Sequence, residues 1–367
     1  MGEGHTPAPA GGMREVDVPD WLDPSWGSVV TSWTRFSDWL SELEQRGVSP
    51  NVASFVGGGT LREHVCGYRR GETTGSERSR MRDLLAQSLS DGALGVAYAL
   101  IYPPDAYATT DELTEVCQAL QRGGIYISHV RWEGEWLLDA LAEAIEIART
   151  LGVPAEVYHL KAAGRAHHHL MGAAIDLIDE ARRGGVDVTA DVYPYAASGT
   201  GLSAMLPVSL AEARGLFNRL AEPGVRAQIA AHSPEVDTDC PPEDVHPVGL
   251  RAPEHAAYRG RSLAEIAALH GGDWVDAAIN LLLGERREIE TIYGQRAPRA
   301  RHSVGLGRLR RLWLESRVGH PARPLPPARL RHVRAGARPL RARRATAADR
   351  GSGAEDDQPA GDPRRPH

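Results

Sequence analysis

The sequence predicts an α/β protein: a parallel (β/α) barrel of the TIM type. Five short β-prone apolar runs alternate with helical patterns between Asn51 and Tyr195. The runs are continuous rather than alternating, as strands buried on both faces are. They also begin roughly thirty to forty residues apart, the spacing of strand–helix units in such a barrel. A doubly wound sheet is the other α/β option, but no Gly-rich phosphate turn supports it.

The runs are "NVASFVG", "GALGVAYALIY", "GGIYISHV", "PAEVYHLKA" and "VDVTADVYPY". Helical patterns lie between them, at Thr110–Arg122 and Leu170–Arg183 among others. Between the third and fourth runs, Leu137, Leu138, Leu141, Ile145 and Ala148 fall at helical spacing, and Gly152 with Pro154 ends the helix. After Pro207 the pattern loosens into a longer excursion containing "HSPEVDTDCPPEDVHP". Helical segments return at Ser262–His270 and Trp274–Leu283, and "REIETIY" looks like the lead-in to another unit. The first fifty residues hold no full strand–helix unit.

No apolar run approaches a membrane span and no signal peptide is visible, and the three cysteines, Cys66, Cys117 and Cys240, have no paired spacing. These features predict a reduced, cytoplasmic protein with inert thiols. The formal charge of −6 hides a split. From Gly294 onwards there are eighteen arginines, no lysine and six acids, so the chain is near −18 before that point and near +12 after it. The tail is Arg/Pro-rich, lacks any sustained period and predicts disorder. A GC-rich gene read out of frame gives this composition, which is preferred here to nucleic-acid binding.

His129 ends the third run and His159 lies in the fourth. A strand–helix–strand unit sets two such residues at the carboxyl ends of neighbouring parallel strands, where barrels keep their chemistry. One strand-end histidine alone is more often a core residue. Two converging imidazoles suit a zinc-type ion. Lys161 is the only lysine in the chain, which points to a compact ammonium wanted beside those histidines. Tyr193 and Tyr195 follow on the fifth run, and strand alternation sends only one of them inward. The run His167–His169 reads as a solvated turn.

The ordered set "NVASFVGGGTLR", "GALGVAYALIYPPDAYATTDEL", "YISHVRWEG", "VYHLKAAG" and "DVTADVYPYAASGTGLSAMLP" resembles the N-acyl-D-amino-acid deacylases (D-aminoacylases) of the amidohydrolase superfamily. "GRSLAEIAALHGGDWVDAAINLLL" resembles the region before their last barrel strand. The resemblance implies a (β/α) barrel with one or two divalent ions, usually zinc, joined to a small β-sandwich. It implies hydrolysis of the amide of small-molecule N-acyl-D-amino acids, with no nucleic-acid or membrane partner. It makes His129 and His159 metal ligands, and gives Lys161 with Tyr193 or Tyr195 the substrate carboxylate. The opening "MGEGHTPAP" resembles the strand-two motif and would make Glu3 a bridging ligand.

Departures from the family pattern bear on activity. The strand-one His-x-His pair is absent, and no "SDG" or "TDA" motif, whose aspartate is the general base, follows Tyr293, so the catalytic residue is unknown. Asp191 is a poor substitute, being expected deeper toward the barrel floor. Gly58 stands where many relatives have histidine. The expected organisation is therefore an incomplete barrel: 1–50 a remnant of the strand-two region and a connecting segment, 51–293 the barrel portion, and 294–367 an out-of-frame tail. The alternatives to deacylation are a catalytically dead truncated fragment or a hydantoinase or dihydroorotase type of amidohydrolase.

Overall fold

The structure, a computed structural model, describes residues 4–9, 32–193, 195–206, 216–222, 224–231 and 240–294. Glu3, the excursion at 232–239 and the tail from 295 lie outside the described residues.

All five expected strands are present and form one parallel sheet in the order β1 (Val56–Gly57), β2 (Gly95–Ala99), β3 (Ile125–His129), β4 (Ala155–Val157) and β5 (Val188–Ala190). Sequence order equals spatial order, as successive strand–helix crossovers produce. A first helix, α1 (Phe36–Arg46), precedes β1. Between β1 and β2 come α2 (Gly58–Cys66) and α3 (Gly75–Ser90). The later crossovers use α4 (Thr110–Cys117), α5 (Leu137–Leu151) and α6 (Met171–Arg183). Their ends follow local chemistry: Thr74 and Glu77 make a capping box on α3, Thr109 caps α4, and left-handed Gly152 stops α5. The Thr110–Arg122 pattern is helical throughout, with its last turn, Gln118–Arg122, tightening to 3-10 geometry.

Strands are shorter than the apolar runs that predicted them. β4 keeps three residues and stops before His159. β2 is buried along its whole length, as a central parallel strand requires. Tyr98 on β2 also accounts for Gly58: a Cβ there would come within 2.1 Å of the Tyr98 ring. The space that a histidine would need at position 58 is filled by tyrosine.

The second part of the chain differs from the expected further barrel unit. "REIETIY" supplies β8 (Glu290–Gly294), which pairs antiparallel between β6 (Ala197–Gly201) and β7 (Val245–Pro247). Burial alternates along β8, the mark of a strand with one covered face. Helices α7 (Leu216–Leu220), α8 (Val225–Ala231), α9 (Leu263–His270) and α10 (Trp274–Glu285) accompany this sheet. Buried apolar residues form two clusters, one around the parallel sheet and one from Leu202 to Tyr293. Among the described residues no helix is long and apolar enough to cross a membrane.

A buried ion pair ties α2 to α4. Arg62 Nε donates to Glu112 Oε1 at 3.0 Å, and its two terminal nitrogens donate to the carbonyls of Arg69 and Gly71. Thr73 donates to the other Glu112 oxygen at 2.7 Å. Burial pushes the Glu112 carboxyl above its ordinary value despite these partners. Arg62→Met leaves that carboxylate buried without a counter-charge and is expected to cost about 3–5 kcal/mol at pH 7 in urea unfolding. A raised native pKa means that the folded state binds the extra proton, so the deficit should shrink as pH falls toward the unfolded carboxyl value near 4.5. A deficit independent of pH would remove Glu112 from the explanation.

Candidate metal centre

Register fixes the first ligand candidate. His129 is the last residue of β3, opposite Ala99 on β2, and only 5% exposed. His159 lies two residues beyond β4 in a left-handed backbone conformation, φ +35°. The two imidazoles meet edge to face with ring centroids 4.4 Å apart. The expected convergence of the two histidines at the carboxyl end of neighbouring strands is therefore present.

Between them stands a residue not singled out from the sequence. Glu133, four residues after His129 in the loop leaving β3, places Oε1 3.4 Å from His129 Nε2 and 3.3 Å from His159 Nδ1. Its backbone carbonyl accepts from the Ala163 amide at 2.7 Å, pinning the β3 loop to the β4 loop. Burial would raise the Glu133 carboxyl, but the His129 field, the His159 hydrogen bond and the Lys161 ammonium outweigh it and hold it at about 2. The carboxylate is an anion at neutral pH. His129, Glu133 and His159 each offer one ligand atom within 4.8 Å of the others, a group that could hold a metal ion. Two imidazoles and one carboxylate are a donor set that zinc accepts. The signal for Glu133 was in "SHVRWEG", whose acid follows His129 within a loop's reach.

Lys161 points into the same cluster. Its Nζ lies 2.5 Å from Glu133 Oε1 and 2.8 Å from His159 Nδ1. The Tyr193 ring is 5.8 Å from that ammonium and 6.3 Å from the His159 ring. Tyr195 stacks on the outer side of Tyr193, centroids 6.4 Å apart, and is 72% exposed. Of the two tyrosines, Tyr193 is the one against the cluster. Tyr102, also missed, lies edge-on to His129 at 6.0 Å and shares a 2.5 Å hydroxyl contact with Thr200 of β6. His167–His169 lie in a 3-10 turn before α6 and are not members of the His129–Glu133–His159 group. Asp191 does not lie deep toward the floor: it follows β5 directly, and its Oδ1 accepts the His159 amide at 2.5 Å.

Glu3 itself lies outside the described residues, but its neighbour Gly4 packs at this end of the sheet. Gly4 accepts from Gly59 N at 2.8 Å, and a Cβ on it would come within 2.7 Å of the Ala99 Cβ. Ala99 is the register partner of His129.

No family profile matches the chain. A D-aminoacylase of Alcaligenes xylosoxydans xylosoxydans is 40% identical over 167 residues, covering 45% of this chain and 34% of the relative. A D-aminoacylase solved in work on its binuclear metal centre superposes with a TM-score of 0.59 at 29% identity, over 80% of this chain and 53% of that one. An N-acyl-D-glutamate deacylase from Bordetella bronchiseptica, complexed with zinc and a phosphonate inhibitor, gives the same TM-score and coverage at 25% identity. The chain thus spans between a third and about half the length of the proteins it matches. Ordered motifs, parallel sheet and histidine pair agree with these likenesses, which over the part they cover support a place among the N-acyl-D-amino-acid deacylases of the amidohydrolase superfamily.

Proposed function

We propose that the chain is built for metal-dependent hydrolysis of N-acyl-D-amino acids, with His129, Glu133 and His159 as ligands of one zinc-type ion. The observation that carries this reading is the His–Glu–His group, His129 buried and the other two half-buried, with a lysine at hydrogen-bond distance. An ion of this class, when bound, polarises an amide carbonyl and acidifies water. Glu3 remains a candidate second oxygen ligand by its place beside Gly4.

The residues themselves divide the remaining work. Lys161 offers a cation to a substrate carboxylate, which would compete with Glu133 for it. Tyr193, against both His159 and Lys161, is the tyrosine suited to complete that grip. Anchoring the carboxylate orients the scissile amide toward the histidine pair. The exposed Trp132 and Trp136 of the β3 loop and Tyr195 give the rim an apolar character. Glu133, held at about 2, is a weak base and suits a ligand or counter-ion better than a proton carrier.

A second reading is a family member that binds metal and substrate yet turns over poorly. It is favoured by the lack of the family's "SDG" or "TDA" motif after Tyr293. Loss of a general base typically removes about 10² to 10⁴ in rate. Cys66, Cys117 and Cys240 form no disulfide with one another, and the setting proposed for the chain is reducing and cytoplasmic.

The metal assignment is tested by elemental analysis of purified protein. Zinc is expected near one equivalent, and His129→Ala, Glu133→Ala and His159→Ala should each strip it. Full retention by all three variants would refute the site. Lys161→Met should raise KM for N-acetyl-D-amino acids while sparing an uncharged amide analogue. Equal losses on both substrates would point to a structural role instead. Assay of zinc-loaded protein against N-acetyl-D-methionine and its L-enantiomer separates the two readings. The deacylase reading expects D-selective turnover that His129→Ala abolishes, and the silent reading expects substrate binding without turnover.

A further inference from the structure

His159 and Arg286 are the two residues other than glycine with positive φ among the described residues, and only His159 lies at the candidate metal centre. Positive φ is uncommon for any residue but glycine, although histidine tolerates it better than most, so the contacts that hold it here matter. The group that holds it, Asp191, lies just past the end of the next strand. Asp191 N donates to Val157 O at 3.1 Å, continuing the β4–β5 ladder by one rung. Asp191 O then accepts from Leu160 N at 2.9 Å, and Asp191 Oδ1 accepts from His159 N at 2.5 Å. One residue therefore clamps the chain on both sides of His159 and takes its amide as well. With the backbone turned this way, the imidazole reaches His129 and Glu133.

We propose that Asp191 is the positioning residue for His159: its carboxylate accepts the His159 amide and so holds the left-handed turn that aims the imidazole into the ligand set. The essential property is the acceptor oxygen. The negative charge is secondary, because the partner is a neutral backbone N–H. This role also occupies Asp191 Oδ1. The zinc arm of the test rests on the metal reading given above, and the amide arm does not.

The experiment compares wild-type protein, Asp191→Asn and Asp191→Ala by zinc titration and by hydrogen exchange of the His159 amide. Asparagine keeps an acceptor oxygen at the same reach and alanine has none. Asp191→Asn is expected to hold zinc affinity within about threefold and to keep the amide protected. Asp191→Ala should weaken zinc binding by about 10- to 100-fold, the usual effect of removing a group that orients a ligand. It should also speed exchange at His159 while leaving protection of the β2 and β3 amides unchanged. Wild-type affinity and protection in Asp191→Ala would overturn the proposal. So would a loss in Asp191→Asn as large as in Asp191→Ala, because charge would then be the operative property. Should wild-type protein bind no zinc, the metal reading falls and the amide exchange alone decides the latch. If Asp191→Ala does not fold, the wild-type and Asp191→Asn comparison decides: matched His159 protection supports the latch, and lost protection in Asp191→Asn overturns it.

Discussion

Parallel pairing of β3 with β2 and β4 is the constraint on which the site depends. A parallel ladder fixes which residues stand level across neighbouring strands, and a slip of one residue would turn every side chain to the other face. The register sets Ala99 beside His129, and Ser128 beside Val157. β4 ends at Val157, and the chain past it leaves the regular ladder for a turn held by Tyr158 N on Ser128 O and by the contacts of Asp191. His159 and Lys161 reach the same carboxylate as His129 only through that turn.

The centre of the arrangement is an acid surrounded by donors. Glu133 is largely withdrawn from solvent, its side chain 13% exposed, so an isolated negative charge there would be costly. Two imidazoles and an ammonium on one oxygen reverse that cost and keep the carboxylate ionised. Electrostatically, the group is a negative point with positive or neutral neighbours, a pattern that a divalent ion can enter by displacing the ammonium. The same arrangement explains why Glu133 would be a poor proton carrier. What stabilises its anion also lowers its basicity.

Much of this was legible from the sequence, and the gaps have physical causes. The five parallel strands showed as buried apolar runs at regular spacing, and the histidine pair followed from their shared position at run ends. The lengths did not show, because an apolar run marks burial and not hydrogen bonding; "PAEVYHLKA" is apolar for longer than β4 is paired. "REIETIY" suggests the lead-in to another unit, and the five-residue strand it forms is too short for its alternating burial to show in the sequence. Glu133 stands within a loop's reach of His129 in the sequence, but its contact with His159, like the hold of Asp191 on the His159 amide, depends on how two neighbouring chain segments approach. Gly58 departed from the family pattern for a reason held forty residues away, in the ring of Tyr98.

The single lysine has a consequence for handling the protein. Because arginine supplies every other side-chain cation, the chain presents amine-reactive chemistry with one side-chain target, inside the candidate site. An ammonium clasped between Glu133 and His159 is a poor nucleophile, and whatever draws Glu133 away from it frees the amine to react. Acylation of Lys161 is thus a built-in gauge of whether the pocket is occupied, readable by mass and needing no engineered label.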